Sequence, residues 1–197
     1  MPNALSQPVS SHSLSGFAAT LPGKLALGLA ATAVIAAAAH IAIPLWFTPV
    51  PFIMTPLAVL GAGLALGPAA GFFTLRAYLA EGALGLPVFS PTGPGGIAQL
   101  LGPTGGFLMA YPFVATIAGG LTRAFPARTP RFLAAAIGCT AAVALLFVCG
   151  ATWLSHIAHL SLHQTWIAAI APFLPGEAVK VLAASGIYSA LVRAKRA

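Results

Sequence analysis

The sequence predicts an all-α integral membrane protein, with six transmembrane helices and a Gly/Pro-rich folded-back loop between helices 3 and 4. Three observations predict it. Hydrophobic residues fill 59% of the 197 positions and charged residues only 6%, against roughly 25% charged in a soluble domain; the mean hydropathy is +0.96. Apolar runs near the ~20 residues of a membrane span recur along the chain. Finally, when six crossings are counted, every basic cluster falls on one side: Lys24, then Arg123, Arg128 and Arg131, then Arg193, Lys195 and Arg196, as expected of cytoplasmic ends. The stretches 48–56, 86–103 and 155–176 carry no Lys or Arg and are expected outside. A multi-pass protein of a cytoplasmic (inner) membrane, with both termini cytoplasmic, is expected.

Each element follows from local chemistry. Residues 1–23 are rich in Ser and Pro and contain no Asp, Glu, Lys or Arg, the composition of a disordered cytoplasmic lead-in. Residues 24–193 form the membrane domain, and 194–197 a basic cytoplasmic tail. From Lys24 an apolar run reaches small residues at Ala37, Ala38 and Ala39, as at a signal-peptide cleavage site. It continues to Phe47, however, which is long enough to span, so a first helix is expected. Ala26, Ala30, Ala33 and Ala37 give this helix two small-xxx-small pairs, a face that another helix can approach closely. Thr48-Pro49-Val50-Pro51 disfavours helix and reads as an extended outer connection.

The second helix is expected from about Pro56 to Leu66. Gly67-Pro68 then turns the chain, with Pro68 suited to the first position of a third helix reaching about Gly85. Residues 86–103 hold too much Gly and Pro to span. They are uncharged, and so are expected to fold back into the outer half of the bundle, where non-helical backbone is tolerated if it lines a cavity. The fourth helix begins near Gly102 to Gly106 and ends at Arg123, and the fifth covers Phe132 to Leu154. Leu162 to Ala171 is expected at the interface with Trp166 at headgroup depth. Pro172 and Pro175 break the chain before the sixth helix, Gly176 to Val192.

Glu81 and Glu177 are the two acidic residues of the chain, and both fall inside apolar segments, where an ionisable group marks a functional site by default. Glu177 and Lys180 are three apart, on one helical face, and Glu177 lies in a first turn where the backbone dipole favours an anion. Arg76 and Glu81 are five apart, roughly 140° around the helix. They cannot pair on one face, which leaves Glu81 to meet Lys180 or an Arg of another helix, or a ligand, while Arg76 snorkels to the cytoplasmic surface.

The remaining chemistry is mostly excluded. The net charge of +7 is thinly spread, with no polar platform of interleaved aromatics for nucleic acid. Neither glycine cluster is followed by the Lys-Ser/Thr of a nucleotide loop, so no ATP and no other cofactor is expected. His156, His159 and His163 have helical spacing but no carboxylate or Cys to complete a metal site. His40 reads as a helix-helix hydrogen-bonding residue. Cys139 and Cys149, roughly 15 Å apart along one helix, are too far apart for a disulfide. An intramembrane enzyme using Glu177 as base would need a nucleophile, and Ser185 is rotated off the Lys180 face.

One set of motifs is more specific. Val50-Pro51-Phe52, Tyr78 to Phe89 with its Gly85-Leu86-Pro87-Val88-Phe89 core, Gly95-Gly96, Leu101 to Phe107 containing Gly102-Pro103-Thr104-Gly105-Gly106, and Pro172 to Glu177 with Lys180 together resemble the BioY family of biotin transporters. The resemblance implies the substrate-binding S component of an energy-coupling-factor (ECF) transporter. Such a component takes up biotin from outside, with a transmembrane coupling subunit and two ATP-binding subunits as partners, although some members are thought to work alone. The Ala-rich first helix would be the docking surface. Family members commonly carry Asp where this chain has Glu177. For such a ligand Glu177 is expected to accept from the ureido N–H groups and Lys180 to donate to the ureido oxygen or the carboxylate, with Phe52, Phe89 and Tyr111 lining the apolar part and Gly95, Gly96 and Gln99 offering polar groups; Glu81, by its intramembrane setting, is a further candidate. An uptake component for another vitamin is the alternative.

Overall fold

The computed structural model describes residues 20–195; most of the predicted lead-in, 1–19, and the tail end, 196–197, lie outside the described residues. Helix α1, Leu21–His40, begins after Thr20, whose hydroxyl accepts from the Gly23 N–H at 3.3 Å. It stops seven residues short of the predicted Phe47. The reason is Pro44, which biases Ile43 toward extended backbone: strand β1, Ala42–Ile43, pairs antiparallel with β2, Phe52–Ile53, in the register Ala42 to Ile53 and Ile43 to Phe52.

Helices α2, Thr55–Leu66, and α3, Pro68–Ala83, meet at Gly67, where φ is 95°. The Gly/Pro-rich segment contains a short helix, α4, Gly96–Leu101, that the sequence reading did not anticipate. Helix α5 is Gly105–Ala124, α6 is Arg131–Ala158, α7 is Leu162–Ala169 and α8 is Leu174–Ala194. Pro175 does not break the chain before α8 but sits in its first turn, where a missing N–H costs nothing.

Helix α5 is the central post: it packs along α6 and against both α2 and α3, while α8 closes on α6 and α2, and α1 leans on α2 and α3. Small residues make this close packing possible. A Cβ added to Gly63 of α2 would overlap the Ala115 carbonyl of α5, and one added to Gly119 of α5 would overlap the Gly63 carbonyl. Arg123 then closes the lower end of this seam. Its Nη1 donates to the Gly63 and Gly119 carbonyls at 3.3 and 3.2 Å and its Nη2 to Leu64 at 3.1 Å. Leu64 lies in the last turn of α2, where carbonyls lack partners within their own helix, while the Gly63 carbonyl also accepts from the Gly67 N–H at 3.0 Å.

Tyr78, Tyr111, Leu60, Leu64 and Leu75 fill the interior, yet the outside is apolar as well: Leu29, Val34, Phe73, Val148 and Val179 are each more than 60% exposed. Helices that are hydrophobic all round belong in a hydrocarbon solvent. By length and hydropathy, α5 and α6 each qualify as a span, α7 and α8 form a pair bent by 48°, and Leu25–His40 and α2 are shorter apolar helices.

The Gly63–Gly119 contact makes a quantitative expectation. Gly63→Ala or Gly119→Ala should each destabilise the bundle by about 1–3 kcal/mol or more through overpacking, seen as a lower melting temperature in detergent. Gly61→Ala, on the same helix with nothing within 4 Å of the new Cβ, should melt no lower than the wild type.

Candidate ligand-binding site

A cavity opens where the segment after β1, the Gly/Pro-rich loop and the first turn of α8 come together. Val50, Pro51, Ile53, Thr55 and Pro56 form one wall; Tyr78, Ser90, Gln99 and Thr104 form a second; Phe107, Leu108, Tyr111, Leu146 and Phe147 line the floor; Ala39, Phe173 and Glu177 complete it. The space between atoms is about 640 Å³, counting the part open to solvent. Mainly apolar walls with a few convergent polar groups are the pattern of a small-molecule site.

The sole ion pair among the described residues stands at its edge. Glu177 and Lys180 are 5% and 3% exposed, and Lys180 Nζ lies 2.6 Å from Glu177 Oε1. The same ammonium donates to the Ile53 carbonyl at 2.6 Å and sits 4.2 Å from the centre of the Phe52 ring, a cation–π contact. Gly176 makes room for that ring, since a Cβ there would overlap it. Lys180 is therefore occupied on several sides, behind the cavity wall. Glu177 is not: its Oε2 is buried with no hydrogen-bond partner among the described residues, and the residue faces the cavity.

The Gly/Pro-rich loop is tied to the bundle by named bonds. Tyr78 donates its hydroxyl to the Val88 carbonyl at 2.8 Å, and the Phe89 ring, 4% exposed, packs edge-on against Tyr78 at 5.5 Å. Gln99 Oε1 accepts from the Gly95 N–H at 3.1 Å, and its Nε2 donates to the Ser90 carbonyl at 3.3 Å. Gly95 and Gly96 take φ values of 72° and 59°, a region open to glycine at little cost.

Of the residues singled out by sequence, Glu177, Gln99 and Tyr111 line the cavity. Lys180 and Phe52 stand behind Glu177, Phe89 packs against Tyr78, and Gly95 holds Gln99. Glu81 is elsewhere. The expectation that it meets Lys180 or an Arg is not what the side chains do: Lys180 is taken by Glu177, and Glu81 Oε1 accepts from Thr32 Oγ1 of α1 at 3.1 Å. Arg76 is exposed, 5.9 Å from the Phe72 ring centre.

His40 bonds the Ala36 carbonyl of its own helix at 2.8 Å rather than a neighbouring helix. His156, His159 and His163 are exposed, and among the described residues no three His, Cys, Asp or Glu gather to hold a metal. Ser185 donates to the Val181 carbonyl at 2.7 Å. Thr55, Tyr78, Ser90, Phe107, Phe147 and Phe173 line the site without having been singled out for it. In sequence they read as core aromatics, a helix start and loop residues, and only chain tracing brings them together.

The family described as the BioY family matches residues 10–197. The "Probable biotin transporter BioY" of Pyrococcus horikoshii is 36% identical over 136 residues, covering 69% of this chain and 76% of that protein. The "Biotin transporter BioY" of Lactococcus lactis subsp. cremoris is 32% identical over 142 residues, covering 71% and 74%. Among solved structures, the S-component for biotin from an ECF-type ABC transporter superposes with a TM-score of 0.79 at 27% identity, covering 94% of this chain and 95% of that one.

The geometry of the ion pair predicts an asymmetric response to mutation. Lys180→Met should cost about 3–5 kcal/mol by leaving a buried carboxylate unpaired, whereas Lys180→Met combined with Glu177→Gln should recover part of that loss. Thermal unfolding of the purified single and double variants measures both.

Proposed function

The chain belongs to the BioY family, and on that footing we propose that it is a multi-pass membrane protein that captures biotin from outside for uptake across the bacterial cytoplasmic membrane. One observation carries this reading: Glu177 lines an apolar cavity, and its buried Oε2 has no hydrogen-bond partner among the described residues. Biotin offers a ureido group with two N–H donors and one carbonyl, an apolar bicycle and a carboxylated tail. A ureido N–H supplies the hydrogen bond that Glu177 Oε2 lacks, while Phe107, Phe147 and Phe173 give the bicycle an apolar wall. Lys180 acts by fixing Glu177 from behind. Tyr111 and Gln99 face the ligand, and Phe52, Phe89, Gly95 and Gly96 support the walls; Glu81, bonded to α1, lies outside the site.

In this reading the chain crosses the membrane six times with both termini cytoplasmic, as the basic residues at helix ends suggest. It serves as the S component for an ECF coupling subunit energised by two ATP-binding subunits. The docking surface is the Ala26, Ala30, Ala33 and Ala37 face of α1. All four are exposed along one small-residue stripe, and such a stripe lets another helix approach closely.

Labelled biotin should bind the purified chain and resist competition by other vitamins. Glu177→Gln and Lys180→Ala should each weaken that binding by about 10–100-fold, the loss of a charge-assisted hydrogen bond and of its support. Unchanged affinity in both would remove this site from the reading. Ala30→Leu, on the exposed stripe, should leave equilibrium binding intact and reduce uptake in cells that co-express the coupling and ATP-binding subunits.

A further inference from the structure

Two buried side-chain oxygens in the structure have no hydrogen-bond partner among the described residues, and both line the same cavity. One is Glu177 Oε2; the other is Thr55 Oγ1. Thr55 is 0% exposed at the first position of α2. Thr55 follows the N-cap residue Met54, and α2 has no side-chain capping bond that could occupy its hydroxyl. Tyr111 lines the same cavity, and no hydrogen bond joins its hydroxyl to Thr55 among the described residues. An orphaned buried hydroxyl is destabilising. Valine has nearly the same shape and would avoid that penalty, so the hydroxyl calls for an explanation outside the folded chain itself.

The two orphans are also held at a set spacing by one group. Lys180 Nζ binds Glu177 through Oε1 and the backbone carbonyl of Ile53, two residues before Thr55, both at 2.6 Å. The cation thus fixes the carboxylate from one side and the start of α2 from the other. It leaves an acceptor-only oxygen and a hydroxyl, able to donate, both lining the cavity.

We infer that Thr55 is a specificity-determining residue: its hydroxyl donates to the ring carbonyl of the ligand while Glu177 accepts the adjacent N–H, so that the pair reads the N–H/C=O edge of a cyclic urea. This deepens the proposed function and rests on it. Lys180 sets the separation of the two reading atoms without touching the ligand. The edge that distinguishes a ureido ring from a plain apolar heterocycle is then recognised from two elements, α2 and α8.

The test compares wild type, Thr55→Val and Thr55→Ser in equilibrium binding of biotin and of 2-thiobiotin, whose thiocarbonyl is a weaker acceptor, together with melting curves with and without ligand. Thr55→Val should bind biotin about tenfold more weakly, bind 2-thiobiotin with a smaller loss, and melt no lower than wild type when ligand-free. Thr55→Ser, which keeps the hydroxyl, should stay near wild type. The inference is overturned if Thr55→Val binds biotin as wild type does, if both ligands lose equally, if Thr55→Ser loses as much as Thr55→Val, or if the ligand-free variant melts lower in step with its loss of binding. A wild-type chain that binds no biotin overturns the proposed function itself, a separate result from any of these.

Discussion

A single ammonium group organises the binding end of this protein. Lys180 reaches from α8 to the Glu177 carboxylate, to the backbone just before α2 and to the face of Phe52. In a bundle whose interior and exterior are both apolar, an unpaired charge has no water to turn to, so all three contacts are needed at once. The consequence is mechanical as well as electrostatic. The first turn of α8 is tied to the β2–α2 junction, and the wall carrying Thr55 keeps its place relative to the wall carrying Glu177.

The rest of the fold is arranged so that this polar end is the exception. A membrane-embedded bundle gains nothing from hiding apolar groups from lipid, so its helices associate by close contact between backbones. The Gly63–Gly119 seam is that contact, and α5 runs from it up to Phe107, Leu108 and Tyr111 at the cavity floor. The Gly/Pro-rich loop holds polar groups of its own together, through Gln99 with Gly95 and Ser90, and is tied to α3 by Tyr78 with Val88. Among the described residues the two buried side-chain atoms without a partner, Thr55 Oγ1 and Glu177 Oε2, both belong to residues that line the cavity.

Much of this was legible in the sequence, for identifiable reasons. Charge scarcity and apolar runs fixed the helical membrane class, and Gly67-Pro68 fixed the α2–α3 turn. An intramembrane acid and base three residues apart marked Glu177 and Lys180 as sharing one helical face, but not that the ammonium turns to Glu177 and to the Ile53 carbonyl. The first helix was read too long because a run of hydropathy does not register a single Pro44 that redirects the backbone. The short α4 was missed because six residues between glycines carry too little periodicity to announce a helix. The partner of Glu81 was misjudged because charges invite pairing with charges, and Thr32, a neutral residue 49 positions earlier, leaves no such signal. Thr55 escaped notice for a related reason: in sequence it is one hydroxyl before a proline, and its lack of a partner exists only in three dimensions.

Arg123 illustrates how the two kinds of reading can diverge over one residue. Counted along the chain it is a topogenic charge, one of three marking an inner loop. In the folded chain its guanidinium is a fastener, stapling the last turn of α2 to α5 through three carbonyls. A lysine would preserve the orientation signal but not the planar fork that reaches two helices together. Charge-reversal or charge-removal experiments at Arg123 would therefore confound insertion polarity with assembly of the bundle, whereas Arg128 and Arg131 hold no such hydrogen bonds among the described residues.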